Sequence, residues 1–249
     1  MGKLVVNVAG DSPIRNYAPK MGGVMSQIIV AVDGMTYHSA RETGVFTALA
    51  KAREKGLIWG IKINDMLYSG DVIRIISSLR EDYKLGVMVD TKLHDIPSTM
   101  ENSINKLVGA GSNIISIHCS SNFRPRKTEF LSYLAGVTAL TSFTDLEVKW
   151  IYDKSHDKIV KAFSDIALMN NYGYLVGSVK DLEAIIDNPL KKICTGIRPS
   201  WYTDRHDQVR ISSLKDAVRV EADFIVIGRP ITKSVNIYEA IEKIYGEIS

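Results

Sequence analysis

LGVMVDTKLHDIPSTME, running from Leu85 to Glu101, is the stretch whose reading decides the fold. Leu85 to Val89 is a short apolar run with enough β-branched residues to sit buried in a parallel sheet. Ser98, with Glu101 three places on, predicts a capping box at the start of a helix, and Pro97 fixes the entry to it. Between strand and helix stand three charges, Asp90, Lys92 and Asp95, in the strand-to-helix turn where α/β proteins bind ligands. An ammonium held between two carboxylates keeps its proton at neutral pH, which makes it a poor nucleophile and a good proton donor. A substrate anion forced against one of those carboxylates would be raised in energy, and relieved once the anion was lost. The same three residues also fit a solvated Asp/Lys pair on a loop, worth roughly 0–1 kcal/mol.

Working outward, the chain has 249 residues, 45% of them hydrophobic, with a formal net charge of +3. That is enough chain for one large core, and a single α/β barrel fits the length as well as two small domains. The small positive balance, with no outstanding Lys/Arg run, gives no argument for a nucleic-acid partner. Cys119 and Cys194 form neither a disulfide framework nor a zinc motif, so a reducing, cytoplasmic setting is the default. Residues 1–24 differ from the rest. Their apolar run from Leu4 to Ala9 is too short and too interrupted for a signal peptide or a membrane span. They read as an N-terminal extension, either packed on the fold or peripheral to it, with the main domain occupying 25–249.

From Gln27 onward short apolar runs alternate with amphipathic ones. Gln27–Asp33, Leu57–Lys62, Leu85–Val89, Asn113–His118, Ala135–Leu140, Tyr172–Gly177, Lys191–Thr195 and Ala222–Ile227 read as strands. Helical patterns run from about Ser39 to Lys55, Asp71 to Arg80, Ser98 to Val108, a long region ending near Asn170, Val179 to Ile186, Ser213 to Val220 and Ile237 to Tyr245. Strands and helices alternating without a Pro/Gly/Ser-rich linker predict an α/β protein, a single-domain (β/α)8 TIM barrel. A doubly wound open sheet is the runner-up, but its GxGxxG fingerprint follows none of the strands.

Such a barrel builds its site at the carboxyl ends of its strands. Those positions are Asp33, Lys62, the Asp90/Lys92/Asp95 group, His118, Thr141 with Ser142, Gly177 with Ser178, Gly196 to Arg198, and Gly228 with Arg229. Gathering so many ionisable groups at one mouth costs several kcal/mol unless they pair with each other or a ligand, which favours a working site. Gly228-Arg229 leaves the last strand where barrels often hold phosphate, with backbone N–H groups and a guanidinium fork suited to a dianion. The polar loop Arg198 to Gln208 is long enough to close over a ligand, with Gln208 as an amide donor. Trp201 and Tyr202 on it are either a lid's apolar underside or exposed aromatics. His118 reads as a core histidine with a partner, and both cysteines as packing residues.

Taken together these motifs resemble orotidine 5′-monophosphate decarboxylases. The resemblance covers Gln27 to the C-terminus and rests on VAVD ending at Asp33, IK ending at Lys62, DTKLHDIPST from Asp90, LTS from Leu140, TGIRP from Thr195, DQVR from Asp207 and IGRPIT from Ile227. It implies loss of CO2 from orotidine monophosphate to give UMP, with neither metal nor cofactor. Lys92 then corresponds to the acid that protonates pyrimidine C6, Asp90 to the carboxylate set against the substrate's own, and Lys62 to the lysine bridging Asp90 and the ribose. Asp33 corresponds to a ribose-hydroxyl partner and Thr141 to a contact to the base, while Arg198, Gln208, Gly228 and Arg229 fall on the phosphate side. Asp95 and Thr99 are implied to reach a neighbouring subunit's site, hence a homodimer.

The sequence also departs from that family. Cys194-Thr195 stands where Thr-Pro is usual before GIRP, Asn64 replaces a glycine near Lys62, and the loop from Arg198 is less glycine-rich. The nearest rival is a Mg-dependent sugar-phosphate decarboxylase or aldolase of the same superfamily, which shares DxKxxD but places a metal-binding Glu where Lys62 stands. A cation there would repel the metal. A barrel that only binds nucleotides is the other alternative.

Overall fold

The computed structural model describes residues 26–202 and 212–248. Eight parallel strands close into a barrel in sequence order. They are β1 (Gln27–Ala31), β2 (Gly60–Ile63), β3 (Gly86–Leu93), β4 (Ile114–His118), β5 (Leu134–Val137), β6 (Tyr174–Gly177), β7 (Lys191–Cys194) and β8 (Phe224–Ile227). The open-sheet alternative is excluded by the β1–β8 pairing, in which Gln27 lies opposite Phe224 and Val30 opposite Ile227. Residues 1–25 lie outside the described part, and the role of the N-terminal extension with them.

Side chains alternate across a strand, so parity along the chain assigns each residue to one of two cores. Ile29 and Ala31 of β1, Met88 of β3, Ile114 of β4 and Phe224 of β8 fill the barrel interior. Ile28, Val30, Ile61, Val87 and Ile115 face outward, onto the surrounding helices. Continuing the inward parity to the strand ends gives Asp33 after Ala31, Lys62 after Gly60, and Asp90 after Met88. The strands thus carry these charges to one mouth. A close approach sets β2 against β3: a Cβ on Gly60 would lie 2.1 Å from the Gly86 carbonyl oxygen, so no larger residue fits there.

The helices are α1 (Tyr37–Glu42), α2 (Val45–Glu54), α3 (Val72–Glu81), α4 (Pro97–Gly109), α5 (Asp145–Tyr152), α6 (His156–Met169), α7 (Val179–Glu183), α8 (Leu214–Arg219), α9 (Arg229–Thr232) and α10 (Ile237–Ile248). Two long helical patterns are broken. Gly44 at φ 74° separates α1 from α2, and Asp153 at φ 51° ends α5 before α6 begins. Each is a left-handed residue that the apolar period does not register.

The capping box expected at Ser98 and Glu101 is absent. With Pro97 in the first turn, α4 starts earlier than that, and Ile96, two residues before Ser98, takes the cap position without a side-chain bond. Glu101 instead accepts the backbone N–H of Arg126 at 3.2 Å. Among the described residues no helix is long and apolar enough to cross a membrane.

Candidate active site

A cavity of about 600 Å³ opens at the carboxyl ends of the strands. Its lining includes Asp33, Lys62, Asp90, Lys92, Thr141, Arg198, Gly228 and Arg229, all singled out from the sequence. Asp95 and Thr99 are exposed and lie outside that lining, and Gln208 falls outside the described residues.

At the floor the charges form a chain. Lys62 Nζ lies 2.8 Å from Asp33 Oδ1 and 3.1 Å from Asp90 Oδ2, and Lys92 Nζ donates to the same Asp90 oxygen at 2.9 Å. The sequence suggested an ammonium between Asp90 and Asp95, but the order is different. Asp90 is the carboxylate between two ammoniums, while Asp95 accepts the neighbouring Ile96 N–H at 2.6 Å. Asp95 sits past the end of β3 on the exposed turn, out of reach of its own chain's cavity.

The electrostatics follow from burial and pairing. Burial alone would push the Asp90 carboxyl up, but the Lys62 and Lys92 ammoniums and the Ser116 hydroxyl outweigh it and hold the group at about 2. Burial alone would lower Lys62, yet Asp90 and Asp33 reverse the sign and raise it. Both groups are therefore fully charged at neutral pH, with little access to water: Lys62 is 6% exposed and Asp90 7%.

Ser116, in the middle of the apolar strand β4, belongs to this network although no motif marks it. It is completely buried and its hydroxyl donates to Asp90 Oδ1 at 2.7 Å. Asp65 was also missed: its carboxylate accepts the Gly34 N–H at 2.9 Å, fixing the turn that carries Asp33.

Across the mouth the cavity becomes cationic. Arg198 and Arg229 line it with Gly228 and with Thr232 and Lys233 of the turn that follows. Neither Thr232 nor Lys233 was anticipated, because α9 is a single short helix hidden behind the GRP motif. Arg198 is buried and donates to the Ile197 carbonyl at 2.9 Å, with its guanidinium over the Tyr202 ring. Trp201 is partly buried against the main core, and Lys243 lies 4.6 Å above its ring. Thr195, standing where the resemblance implies proline, donates its N–H to the Gly177 carbonyl at 2.9 Å, a bond proline lacks.

Several residues have structural roles. His118 Nδ1 faces the Ser120 hydroxyl at 2.6 Å, and Ser178 caps α7. Burial pushes both cysteine thiols up to about 12, as packing residues require. Among the described residues no group of three or more His, Cys, Asp or Glu is placed to hold a metal ion.

Fold and site together define a (β/α)8 barrel with an alternating acid–base floor and a cationic rim at the catalytic end. A family model for orotidine 5′-phosphate decarboxylase / HUMPS matches residues 26–244, and the chain belongs to that family. An orotidine 5′-phosphate decarboxylase of Campylobacter concisus is 32% identical over 212 residues, covering 80% of this chain and 93% of the relative. One from a Sulfurovum strain is 30% identical over 237 residues, covering 90% and 99%. The fold is similar to that in a crystal structure of the Lactobacillus acidophilus orotidine 5′-phosphate decarboxylase, with TM-score 0.71 and 20% identity over 90% of this chain and 99% of that one.

Proposed function

We propose that the protein is a carboxy-lyase that converts orotidine 5′-monophosphate to UMP, the last step of pyrimidine nucleotide synthesis, without metal or cofactor. The observation that carries this reading is the buried Lys62–Asp90–Lys92 array, with Lys92 as the member most open to the cavity. The bond from C6 to the carboxylate breaks, CO2 departs, and the electron pair stays on C6. Lys92 gives an N–H proton to that carbon, and the neutral amine then regains a proton from water. An ammonium fixed beside the developing carbanion is worth most where water is excluded. Asp90 stands against the substrate's carboxylate, Lys62 bridges Asp90 and the ribose, Asp33 binds a ribose hydroxyl and Thr141 the base.

Arg198, Gln208, Gly228 and Arg229 take the phosphate. Because the phosphate is remote from the reacting bond, gripping it supplies the binding energy that holds the carboxylate against Asp90. Arg229→Ala and Gln208→Ala should each lower kcat/KM by about 10-fold or more, beyond any surface change. Steady-state kinetics test this, and unchanged kcat/KM in both variants removes the role. Asp95 and Thr99 complete the site of a second subunit in a cytoplasmic homodimer. Their exposure outside their own cavity supports that arrangement.

The family also contains the metal-dependent reading. Against it, both carboxylates of the floor, Asp33 and Asp90, are already paired with ammoniums, so a divalent cation would have to displace Lys62 or Lys92 to bind there. Ultraviolet loss of orotidine 5′-monophosphate, followed with and without EDTA, decides between the readings. We expect equal rates in both. Abolition by EDTA supports the metal enzyme, and no turnover in either supports a barrel that only binds nucleotides.

A further inference from the structure

The β3–β4 pairing is irregular at the site. Val89 lies opposite Ile115 and Leu93 opposite Ile117, so Asp90, Thr91 and Lys92 together face the single residue Ser116. Such a bulge bends its strand and re-aims side chains. It also forces Lys92 to φ 46°, a left-handed conformation costly for a lysine, which persists only where neighbouring structure holds it.

All three bulged residues bond to Ser116. Its backbone carbonyl accepts the Thr91 hydroxyl at 3.2 Å, and its hydroxyl oxygen accepts the Lys92 N–H at 2.8 Å. That N–H can only donate, so the serine proton is left for Asp90 Oδ1, at 2.7 Å. One hydroxyl thus ties the strained lysine backbone to the carboxylate that its own ammonium contacts.

We infer that Ser116 is a positioning residue that holds Lys92 and Asp90 in register for proton delivery. The inference rests on the decarboxylase reading above. Without the hydroxyl, the Lys92 N–H loses its buried acceptor and the bulge loses the bond that offsets its strain. Lys92 Nζ then samples positions away from the reacting carbon, and a displacement of about 1 Å can cost about 100-fold in rate. Asp90 would also lose a bond that favours its ionised form. The groups facing it are Lys62 from β2, with Asp33 of the β1 end beyond, Lys92 on its own strand and Ser116 from β4. His118 at the end of β4 lies near Lys92.

The test uses full-length Ser116→Ala and Ser116→Thr, with wild type assayed alongside. For Ser116→Ala we expect kcat about 10- to 100-fold lower, unchanged UMP affinity by calorimetry, and an acid limb of kcat/KM displaced to higher pH. Ser116→Thr, which keeps the hydroxyl, should restore both kcat and the acid limb. Should the alanine variant fail to fold, Ser116→Cys, of similar size but with a weak donor and acceptor, is expected to show the same losses. A folded Ser116→Ala or Ser116→Cys with wild-type kcat overturns the inference, as does an equal loss in the threonine variant or an unmoved acid limb. Absence of turnover by the wild type itself removes the decarboxylase reading instead.

Discussion

Lys92→Ala should give a folded protein that still binds UMP but turns over orotidine 5′-monophosphate at least about 10³-fold more slowly. The size of the effect follows from where the ammonium sits. It is the only member of the Lys62–Asp90–Lys92 array with a substantial fraction of its side chain, 34%, open to the cavity. On the proposed reaction it both stabilises the charge left on carbon and delivers the proton, so no remaining group substitutes for it. Removing it leaves Asp90 paired with Lys62 and hydrogen-bonded to Ser116, so stability should change by no more than about 1 kcal/mol. Lys92→Arg provides the control. Its guanidinium keeps the charge but is a far poorer proton donor, so it should recover substrate binding without recovering turnover. Single-turnover kinetics, with UMP affinity measured in parallel, check both variants. A Lys92→Ala kcat within about tenfold of wild type would exclude the proton-donor role.

What made the site legible in advance was the position of the strand ends joined to their charge, and strand parity is the physical reason it worked. Asp33, Lys62 and Asp90 each follow an inward-facing small or apolar residue, so reading the strand ends in order brings them to one mouth before any contact is known. What the pattern could not supply was pairing between strands. The Lys62–Asp33 contact joins residues 29 apart, and Ser116 meets Asp90 from 26 residues away. A serine in an apolar strand gives no local sign of such a partner. Asp95 poses the same question of partners: its spacing suggests a partner of Lys92 within the chain, whereas it stands on the exposed turn beyond β3 and outside the lining of its own cavity. Helix boundaries failed where single left-handed residues, Gly44 and Asp153, interrupt an otherwise continuous apolar period. The loop candidate Gln208 and residues 1–25 fall outside the described residues.

Asp90→Asn should separate the two contributions of the buried carboxylate. For catalysis, removing the negative charge relieves the repulsion proposed to act on the substrate's carboxylate. The variant should therefore bind orotidine 5′-monophosphate with an unchanged or lower KM while kcat falls by about 10³-fold. A raised KM with kcat intact would show instead that Asp90 only helps to bind the substrate. For stability, the sign comes from the direction of the shift. The folded carboxyl is held at about 2, below its ordinary 3.8, so its contribution is present above about pH 4 and is lost as pH falls through 2. The gap between those values corresponds to about 2 kcal/mol. Asp90→Asn should accordingly be about 2 kcal/mol less stable than wild type at pH 7, and the difference should shrink as pH falls through about 2 and vanish below it, where the wild-type carboxyl is itself protonated. Urea unfolding of both proteins across that range checks the sign as well as the size. A difference that stayed constant with pH would mean that the asparagine perturbs packing, and that the two ammoniums around Asp90 do not stabilise its charge.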